Sequence, residues 1–225
     1  MRTSQATTQT GTGDLPRLHQ IGLTVLLCIG LVLIGYFYID RPLAWLAYDH
    51  HLRRFLWLKY FTYLPDLLAF AATPILLLTP LAIRLPRLRG HGPRTLLAMS
   101  LSLSVAVFIK NALKIIFGRA WPETWINHNL SLIQNHVYGF FWFQNSQAYH
   151  SFPSGHTTIT FAAMSVLWLS LPRWRWLATL ICLLVIIGLL GMDYHFFSDI
   201  VAGAFLGSWC GLYVQRLMVH HRTSL

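Results

Sequence analysis

Long apolar stretches alternate with short polar segments along most of this chain. Runs of about 18 or more mostly apolar residues are typical of helices that cross a lipid bilayer. The chain contains six such stretches, the fourth being the shortest, at about residues 21–39, 67–83, 95–117, 157–171, 176–192 and 200–217. The pattern predicts an all-α integral membrane protein, built as a six-helix bundle.

Two segments that contain many polar residues fall on the same side of such a bundle. Residues 40–66 mix aromatic and basic side chains at a density that suits a helix in the headgroup layer, on the approach route of a lipid. Residues 121–152 form the longest polar segment, and a connection of this length within a compact domain usually has structure of its own. We expect residues 121–152 to form an external loop cap over a site.

The third and last apolar stretches carry residues that are unusual inside a membrane. Lys110 and Lys114 lie one helical turn apart, and a charge in apolar surroundings is costly, so we expect one of them to face a cavity lined by protein. The alternative is that they extend to the membrane surface. Gly203, Gly207 and Gly211 recur at steps of four, which predicts close helix packing, within the chain or in a dimer.

Composition and charge place this bundle in a membrane with a defined orientation. Hydrophobic residues make up 55% and charged residues 11% of the chain, and the mean hydropathy is +0.52. The formal net charge of +10 divides between the two sides as +9 and +1. The positive-inside rule therefore places both termini in the cytoplasm and residues 121–152 outside. Because the basic excess is a topology signal, we expect no nucleic acid partner, and the chain's size favours a bacterial inner membrane.

The ends of the chain are polar and predict short tails around one membrane domain. We assign residues 1–19 and 218–225 to cytoplasmic tails and residues 20–217 to the six-span domain. No clear small-x-small cleavage site follows the first apolar stretch, which is typical of a retained signal anchor. Cys28, Cys182 and Cys210 lie in apolar stretches without metal-ligand spacing, so we expect core residues. The histidines of the polar segment also lack metal-ligand spacing, and we expect no metal site and no cofactor.

Candidate chemistry begins at residues 151–156, Ser-Phe-Pro-Ser-Gly-His, where a polar loop meets the fourth apolar stretch. Pro153 suits a first helical turn, and Ser154 and Gly155 leave backbone N–H groups uncovered where the helix starts. Such a start can bind a phosphate-sized anion. His156 follows in the first turn and can give or take a proton beside that anion.

A second polar cluster lies between the last two apolar stretches. His195 and Asp199 are four residues apart, so they share one face of a helix, and the carboxylate can hold the imidazole in one tautomer. The two clusters predict one site that contains two histidines and an aspartate.

These motifs resemble a known family. The order is Lys114 with Gly118-Arg119-Ala120-Trp121-Pro122, then residues 151–156, then His195 with Asp199. This order resembles the three-part signature of the type 2 phosphatidic acid phosphatase and vanadium haloperoxidase superfamily. The resemblance covers about the last half of the chain, and the six spans fit the membrane branch of that family.

The resemblance implies a role for each motif residue. His195 would attack phosphorus, Asp199 would orient and charge its ring, and His156 would protonate the leaving oxygen. Lys114 and the backbone at Ser154 and Gly155 would bind the phosphoryl oxygens. Phosphoryl transfer agrees with this set, because it needs a positioned nucleophile and fixed positive potential around the equatorial oxygens.

The chain departs from the family's signature at two arginine positions. Trp121 stands before Pro122 where the family has an arginine, and Gly188-Leu189 replaces a Ser-Arg pair ahead of His195. Arg119 lies two residues before Trp121, and we infer that it binds the substrate phosphate in place of one of these arginines.

Together these observations predict a membrane phosphatase that acts on a lipid phosphate or diphosphate at the external face. Undecaprenyl diphosphate, phosphatidylglycerol phosphate, phosphatidate and a lipid A phosphate all remain open as substrates. The alternatives are a lipid phosphotransferase on the same scaffold and a non-catalytic lipid-binding protein. Membrane lipids are the other expected partners, and the sequence leaves the oligomeric state open.

Overall fold

The computed structural model describes residues 18–82, 90–126 and 128–223. Within them the backbone forms helices and isolated bridges but no β-strand. The α-helices are α1 (Leu18–Ile34), α2 (Asp40–Asp49), α3 (Leu56–Thr62), α4 (Leu64–Ala82), α5 (His91–Phe117), α6 (Leu132–Asn135), α7 (Gly155–Ser170), α8 (Arg175–Gly191) and α9 (Phe197–Thr223). A π-helical turn, Gly35–Ile39, joins α1 to α2.

Five helical segments of the described ranges are long and apolar enough to cross a membrane, namely Leu18–Asp49, Leu56–Thr79, His91–Phe117, Pro172–Gly191 and Phe197–Val219. They confirm an all-α integral membrane protein. The sixth predicted span is α7, whose 16 residues are fewer than those of the other five. It starts and ends close to the predicted residues 157–171.

Helix α7 lies at the centre of the bundle, where it contacts α4, α5, α8 and α9. Its contact with α9 is close because three glycines of α9 face it. A Cβ at Gly203 would lie 2.6 Å from Ser154 O, and a Cβ at Gly211 would lie 2.7 Å from Ala162 O. Larger residues cannot take these places without moving a backbone, so the predicted glycine packing occurs within the chain.

The mixed segment 40–66 differs from the single headgroup-layer helix that we expected. Its first part, α2, continues the first span through the π-helical turn, and α3 packs against α8. Two glycines of α8 allow this contact, since a Cβ at Gly188 would lie 2.8 Å from Leu58 O. Tertiary packing therefore buries part of a segment whose composition resembles a membrane surface.

The long polar segment after α5 is folded, as its length predicted. Ser151 N donates to Arg119 O at 3.1 Å, and Leu132 N donates to Trp121 O at 2.8 Å. The Asn129 side chain accepts hydrogen bonds from the backbone N–H groups of Trp125 and Ile126. These bonds connect the two ends of the segment and hold it at the end of the bundle where α7 and α9 begin.

Several predicted boundaries lie at the edges of the described residues. Helix α1 begins at Leu18, within the predicted tail 1–19, and α9 continues to Thr223, beyond the predicted last span. Residues 1–17, the loop residues 83–89, Asn127 and the last two residues lie outside the described ranges.

Candidate active site

Ser154 caps the start of α7. The Ser154 Oγ accepts a hydrogen bond from Thr157 N at 3.4 Å, and the Ser154 N–H donates to Asp199 O at 3.0 Å. Ser154 is also fully buried. These contacts correct the prediction that Ser154 binds the phosphate: it connects α7 to α9. The N–H groups of Gly155 and His156 come next, and the first N–H groups of a helix have no carbonyl partner within it.

His195 lies in the loop between α8 and α9, with Asp199 on the first turn of α9. The His195 Nδ1 is 3.6 Å from Asp199 Oδ2. Ser151 bridges the two, because its Oγ donates to Asp199 Oδ2 at 2.6 Å and lies 3.4 Å from His195 Nδ1. Phe196 N donates to the same carboxylate oxygen at 3.1 Å. Three contacts thus fix Asp199 Oδ2 beside the ring and leave His195 Nε2 as the nitrogen available for chemistry.

The two histidines predicted to share a site are brought together. The ring centroids of His156 and His195 are 6.1 Å apart. Burial lowers the pKa of His195 below its ordinary value, and the nearby Asp199 carboxylate opposes that shift without reversing it. The lower pKa favours the neutral imidazole, which is the form that carries a nucleophilic lone pair.

Arg119 occupies a different place from the one predicted. Its side chain is fully buried, with Nη1 donating to Asp199 Oδ1 at 2.5 Å and Nη2 donating to Asp40 Oδ2 at 2.7 Å. The aromatic rings of Tyr36, Tyr138, Phe140 and Phe196 surround the guanidinium, with centroids between 4.4 and 5.4 Å from its central carbon. These contacts correct the prediction that Arg119 binds the substrate phosphate, because both terminal nitrogens are already paired with carboxylates.

Asp40 is the site residue that sequence reasoning missed. It begins α2, is buried, and receives hydrogen bonds from Arg119, from Ser198 N at 2.9 Å and from the Ser198 hydroxyl. Asp40 lies in a segment rich in aromatic and basic residues, and that composition suggested a location at the membrane surface rather than in the site. A carboxylate next to an apolar stretch was the available signal, since a charge there requires a partner.

Lys114 is buried next to the site, where it donates a hydrogen bond to His150 O. Its Nζ lies 5.5 Å from the centroid of a Trp121 ring, and the Trp121 ring lies 5.2 Å from that of His195. Lys114 and Trp121 therefore belong to the surroundings of His195. At the other substituted position, Leu189 is part of an apolar cluster with Val185 and Ile200, so it offers no charge.

Lys110, one turn before Lys114, approaches the start of α7. Its Cδ, Cε and Nζ atoms lie 3.5 to 3.6 Å from the place a Cβ of Gly155 would take. The Lys110 Nζ donates to Asn111 Oδ1 at 2.7 Å. Gly155 thus leaves room for the ammonium group beside the first N–H groups of α7.

Among the described residues, no three His, Cys, Asp or Glu side chains are grouped so that they could hold a metal ion. Cys28, Cys182 and Cys210 are free thiols, and Cys210 is buried in the core as expected.

Comparison with known proteins places this site in a family. The profile of the PAP2 superfamily matches residues 95–222, so the chain belongs to that superfamily. This confirms the family predicted from the three motifs. The matched region includes Lys114, both histidines and Asp199, and it excludes Asp40.

Curated relatives match over about half of the chain. A PA-phosphatase related-family protein of Dictyostelium discoideum is 30% identical over 115 residues, which are 47% of this chain and 21% of that protein. Lipid A 1-phosphatases of Rhizobium johnstonii and Rhizobium etli are each 32% identical over 109 residues, covering 46% of this chain and 40% and 42% of theirs. The matched region is therefore less than half of each relative. No solved structure matches the chain.

Proposed function

We propose that the protein is a membrane phosphatase that hydrolyses a lipid phosphate or diphosphate through a phosphohistidine intermediate. The observation that carries this proposal is the arrangement around His195, with Asp199 and Ser151 at Nδ1 and the His156 ring nearby. A lipid-binding protein without catalysis needs no histidine whose ring is held by a carboxylate beside a second histidine.

The proposed reaction has two steps. In the first, His195 Nε2 attacks phosphorus, a P–N bond forms, and the P–O bond to the lipid breaks while His156 gives a proton to the leaving oxygen. In the second, His156 takes a proton from a water molecule, which attacks phosphorus and breaks the P–N bond. Phosphate and the dephosphorylated lipid are released, and both histidines return to their starting protonation states.

The phosphoryl oxygens need fixed positive potential, and we assign it to α5 and the start of α7. The candidates are the Lys114 ammonium, the N–H groups of Gly155 and His156, and the Lys110 ammonium that lies beside Gly155. Arg119 acts indirectly, because its guanidinium contacts Asp199 and not the place where a substrate phosphate would bind. Lys110 and Lys114 thus supply the positive charge that the family's signature places on arginines at the positions of Trp121 and Leu189.

Because the protein is an integral membrane protein, we propose that its substrate is a membrane lipid that carries a phosphate. We propose that the site faces the outside of a bacterial inner membrane, with both termini in the cytoplasm. Two relatives are named lipid A 1-phosphatases and one is named a PA-phosphatase related protein. Lipid A phosphates and phosphatidate are therefore the first substrates to test, followed by phosphatidylglycerol phosphate and undecaprenyl diphosphate.

A phosphotransferase is the second candidate, because the phosphohistidine could pass its phosphoryl group to a lipid hydroxyl instead of water. The burial of His195 supports this alternative, since a buried intermediate is protected from water. Free phosphate and phosphorylated lipid are different products, so one assay separates the two reactions.

The test is phosphate release by the purified protein from this lipid panel. We expect release from at least one lipid and a loss of at least about a thousandfold in kcat in His195→Ala, which removes the nucleophile. His136→Asn is the matched control, because His136 is exposed and its left-handed backbone (φ 55°) also suits asparagine. Rapid quenching should trap phosphate on the wild-type protein and none on His195→Ala.

Full turnover by His195→Ala would contradict the mechanism. Binding of the lipids without any change in them would favour a lipid-binding protein. Transfer of phosphate to a second lipid, without free phosphate, would favour the phosphotransferase.

A further inference from the structure

Asp40 accepts hydrogen bonds from Arg119, Ser198 and Tyr138 at the base of the site, although it lies far from the catalytic motifs in the sequence. Its Oδ1 accepts from Ser198 N at 2.9 Å, and its Oδ2 accepts from Arg119 Nη2 at 2.7 Å and from the Ser198 hydroxyl. Ser198 N is one of the first N–H groups of α9, so Asp40 caps α9 from a different helix. The capped turn is the one that carries Asp199.

A buried series of contacts, Asp40–Arg119–Asp199, leads from Asp40 to His195. Arg119 uses one terminal nitrogen for Asp40 and the other for Asp199, and the side chains of all three residues have 0% exposure. The remaining oxygen of Asp199 lies beside His195 Nδ1. Asp40 and His195 also line one small cavity together with Asp193, so the two ends of this series are close in space.

The net charge of this series determines its electrostatic effect on His195. Asp40, Arg119 and Asp199 together carry a net charge of −1. Without Asp40, the guanidinium would neutralise Asp199 alone, and His195 would lie beside a pair with no net charge. Charge interactions between buried groups are only weakly screened. A histidine that gains positive charge as it attacks phosphorus needs the negative neighbour.

We propose that Asp40 is a positioning residue of the active site, which caps α9 and pairs with Arg119 so that Asp199 presents a net negative charge to His195. This inference rests on the proposed phosphatase function for its kinetic consequence. Its electrostatic consequence concerns His195 itself and can be measured without substrate.

The local sequence explains how Asp40 reaches this place. A Cβ at Gly35 would lie 2.9 Å from the Ser198 Cβ, so glycine allows α1 to approach the start of α9. The π-helical turn, Gly35–Ile39, directly precedes Asp40 and adds a residue to that turn of the helix. Such turns often occur at functional sites because they redirect one side chain.

The other titratable groups around His195 belong to different elements. Lys114 lies on α5, His156 on α7, Asp199 on α9, and Asp193 on the loop of His195 itself. The experiment leaves all four unchanged. A change in the titration of His195 can then be assigned to the charges of Asp40 and Arg119.

Three variants test the charge argument, because they change the net charge of the series in different directions. Asp40→Asn raises it to zero, Arg119→Gln lowers it to −2, and the double variant returns it to −1. A more negative neighbour favours the charged form of an imidazole. We expect the pKa of His195 to fall in Asp40→Asn, to rise in Arg119→Gln and to return towards the wild-type value in the double variant. Histidine side-chain ¹⁵N NMR of the full chain measures this pKa, with His195→Gln as the assignment variant.

Kinetics provide the second readout. The acidic limb of the pH profile of kcat/KM should move in the same directions as the pKa of His195. The kcat of Asp40→Asn should fall about tenfold or more, with little change in KM. Asp40→Glu keeps the charge and should keep the wild-type limb. Asp49→Asn, an exposed change on the same helix, is the matched control and should leave both readouts unchanged.

A merely structural role would lower the thermal stability of the variants without these opposite shifts, and that result would overturn the inference. If Asp40→Asn does not fold, Arg119→Gln and Asp40→Glu still decide, since the first must raise the pKa and the second must not change it. A wild-type protein without phosphatase activity would contradict the proposed function, whereas the NMR titration would still test this inference.

Discussion

At the residue scale, Lys110 and Lys114 on α5 are the basic residues that lie against the start of α7 and Trp121. A lysine is a compact charge with rotatable donors, whereas an arginine offers a planar fork. Two lysines one turn apart can therefore follow a phosphoryl group as it changes geometry, but they orient it less strictly. In the proposed mechanism these two cations act together with the N–H groups at the start of α7.

Lys110→Met should weaken catalysis because it removes one of the cations. We expect kcat/KM to fall about tenfold, the size of one lost charge contact, and Lys110→Arg to fall less. Lys59→Met is the matched control, since Lys59 is an exposed cation of α3. Phosphate release at several substrate concentrations measures the effect. Wild-type kinetics in Lys110→Met would mean that Lys110 extends to the membrane surface.

Asp193 is a buried carboxyl outside the proposed mechanism, with no hydrogen-bond partner for its Oδ2. Burial, together with nearby Glu123, raises the pKa of Asp193 to about 8, although Arg53 opposes the shift. The folded protein therefore holds a proton on Asp193 that the unfolded chain loses above about pH 4. This contribution to stability is complete below pH 4 and is lost as the pH rises to about 8.

Asp193→Asn should remove the loss of stability at high pH, because asparagine does not ionise. Asparagine also tolerates the positive φ of 54° at this position. We expect the Tm of the variant to exceed that of the wild type by several degrees at pH 9, and the difference to shrink or reverse at pH 5. Thermal unfolding in detergent at both pH values measures it, with Asp49→Asn as the control. An equal difference at both pH values would show that Asp193 is not protonated in the folded state.

At the element scale, the contact between α7 and α9 brings the two histidine-containing motifs together. Helix α7 begins one residue before His156, and α9 carries Asp199 in its first turn. The hydrogen bond from Ser154 N to Asp199 O joins the two starts directly. Glycines along α9 keep the helices close for several turns beyond that bond. The packing of these two helices therefore holds the His156 and His195 rings close together, with centroids 6.1 Å apart.

Gly207→Ala tests this packing. The new Cβ would lie 2.8 Å from Ala162 N and 2.9 Å from the Phe161 Cβ, so α9 must move away from α7. Overpacking of this kind costs about 1–3 kcal/mol, which corresponds to a Tm lower by several degrees, and kcat should fall with it. Gly30→Ala is the matched control, because a Cβ there meets nothing within 4 Å. Equal Tm values in both variants would contradict the role of Gly207.

At the scale of the whole molecule, the site lies at one end of the bundle. The starts of α7 and α9, the end of α5 and the folded segment after it all meet there. The loop between α7 and α8, with Arg173 and Arg175, lies at the opposite end. The candidate site and this basic loop therefore lie at opposite ends of the bundle.

Cysteine labelling tests the proposed orientation. A cysteine at Asn145, an exposed residue of the outer segment, should react with a membrane-impermeant maleimide on intact spheroplasts. A cysteine at Arg173, exposed at the opposite end, should react only after permeabilisation. The reverse pattern would place the site in the cytoplasm.

The sequence by itself determined the class of fold and the family. Apolar stretches long enough to cross a bilayer can satisfy their backbone only as helices, so the helical class and the approximate ends of the helices follow from hydropathy. The three motifs determined the family, because their residue types and order are local properties of the chain. The presence of His156, His195 and Asp199 in one site followed from the same motifs.

The tertiary structure alone decided which charges face each other. Arg119 was expected at the phosphate, yet Asp40, 79 residues earlier, and Asp199 bind its guanidinium in the interior. Ser154 was expected to bind the same phosphate but caps α7 and bonds to α9. Pairing between distant residues depends on which helices pack together, and hydropathy does not encode it. A buried charge takes the partner that packing places within reach, since leaving it unpaired costs more than any local preference.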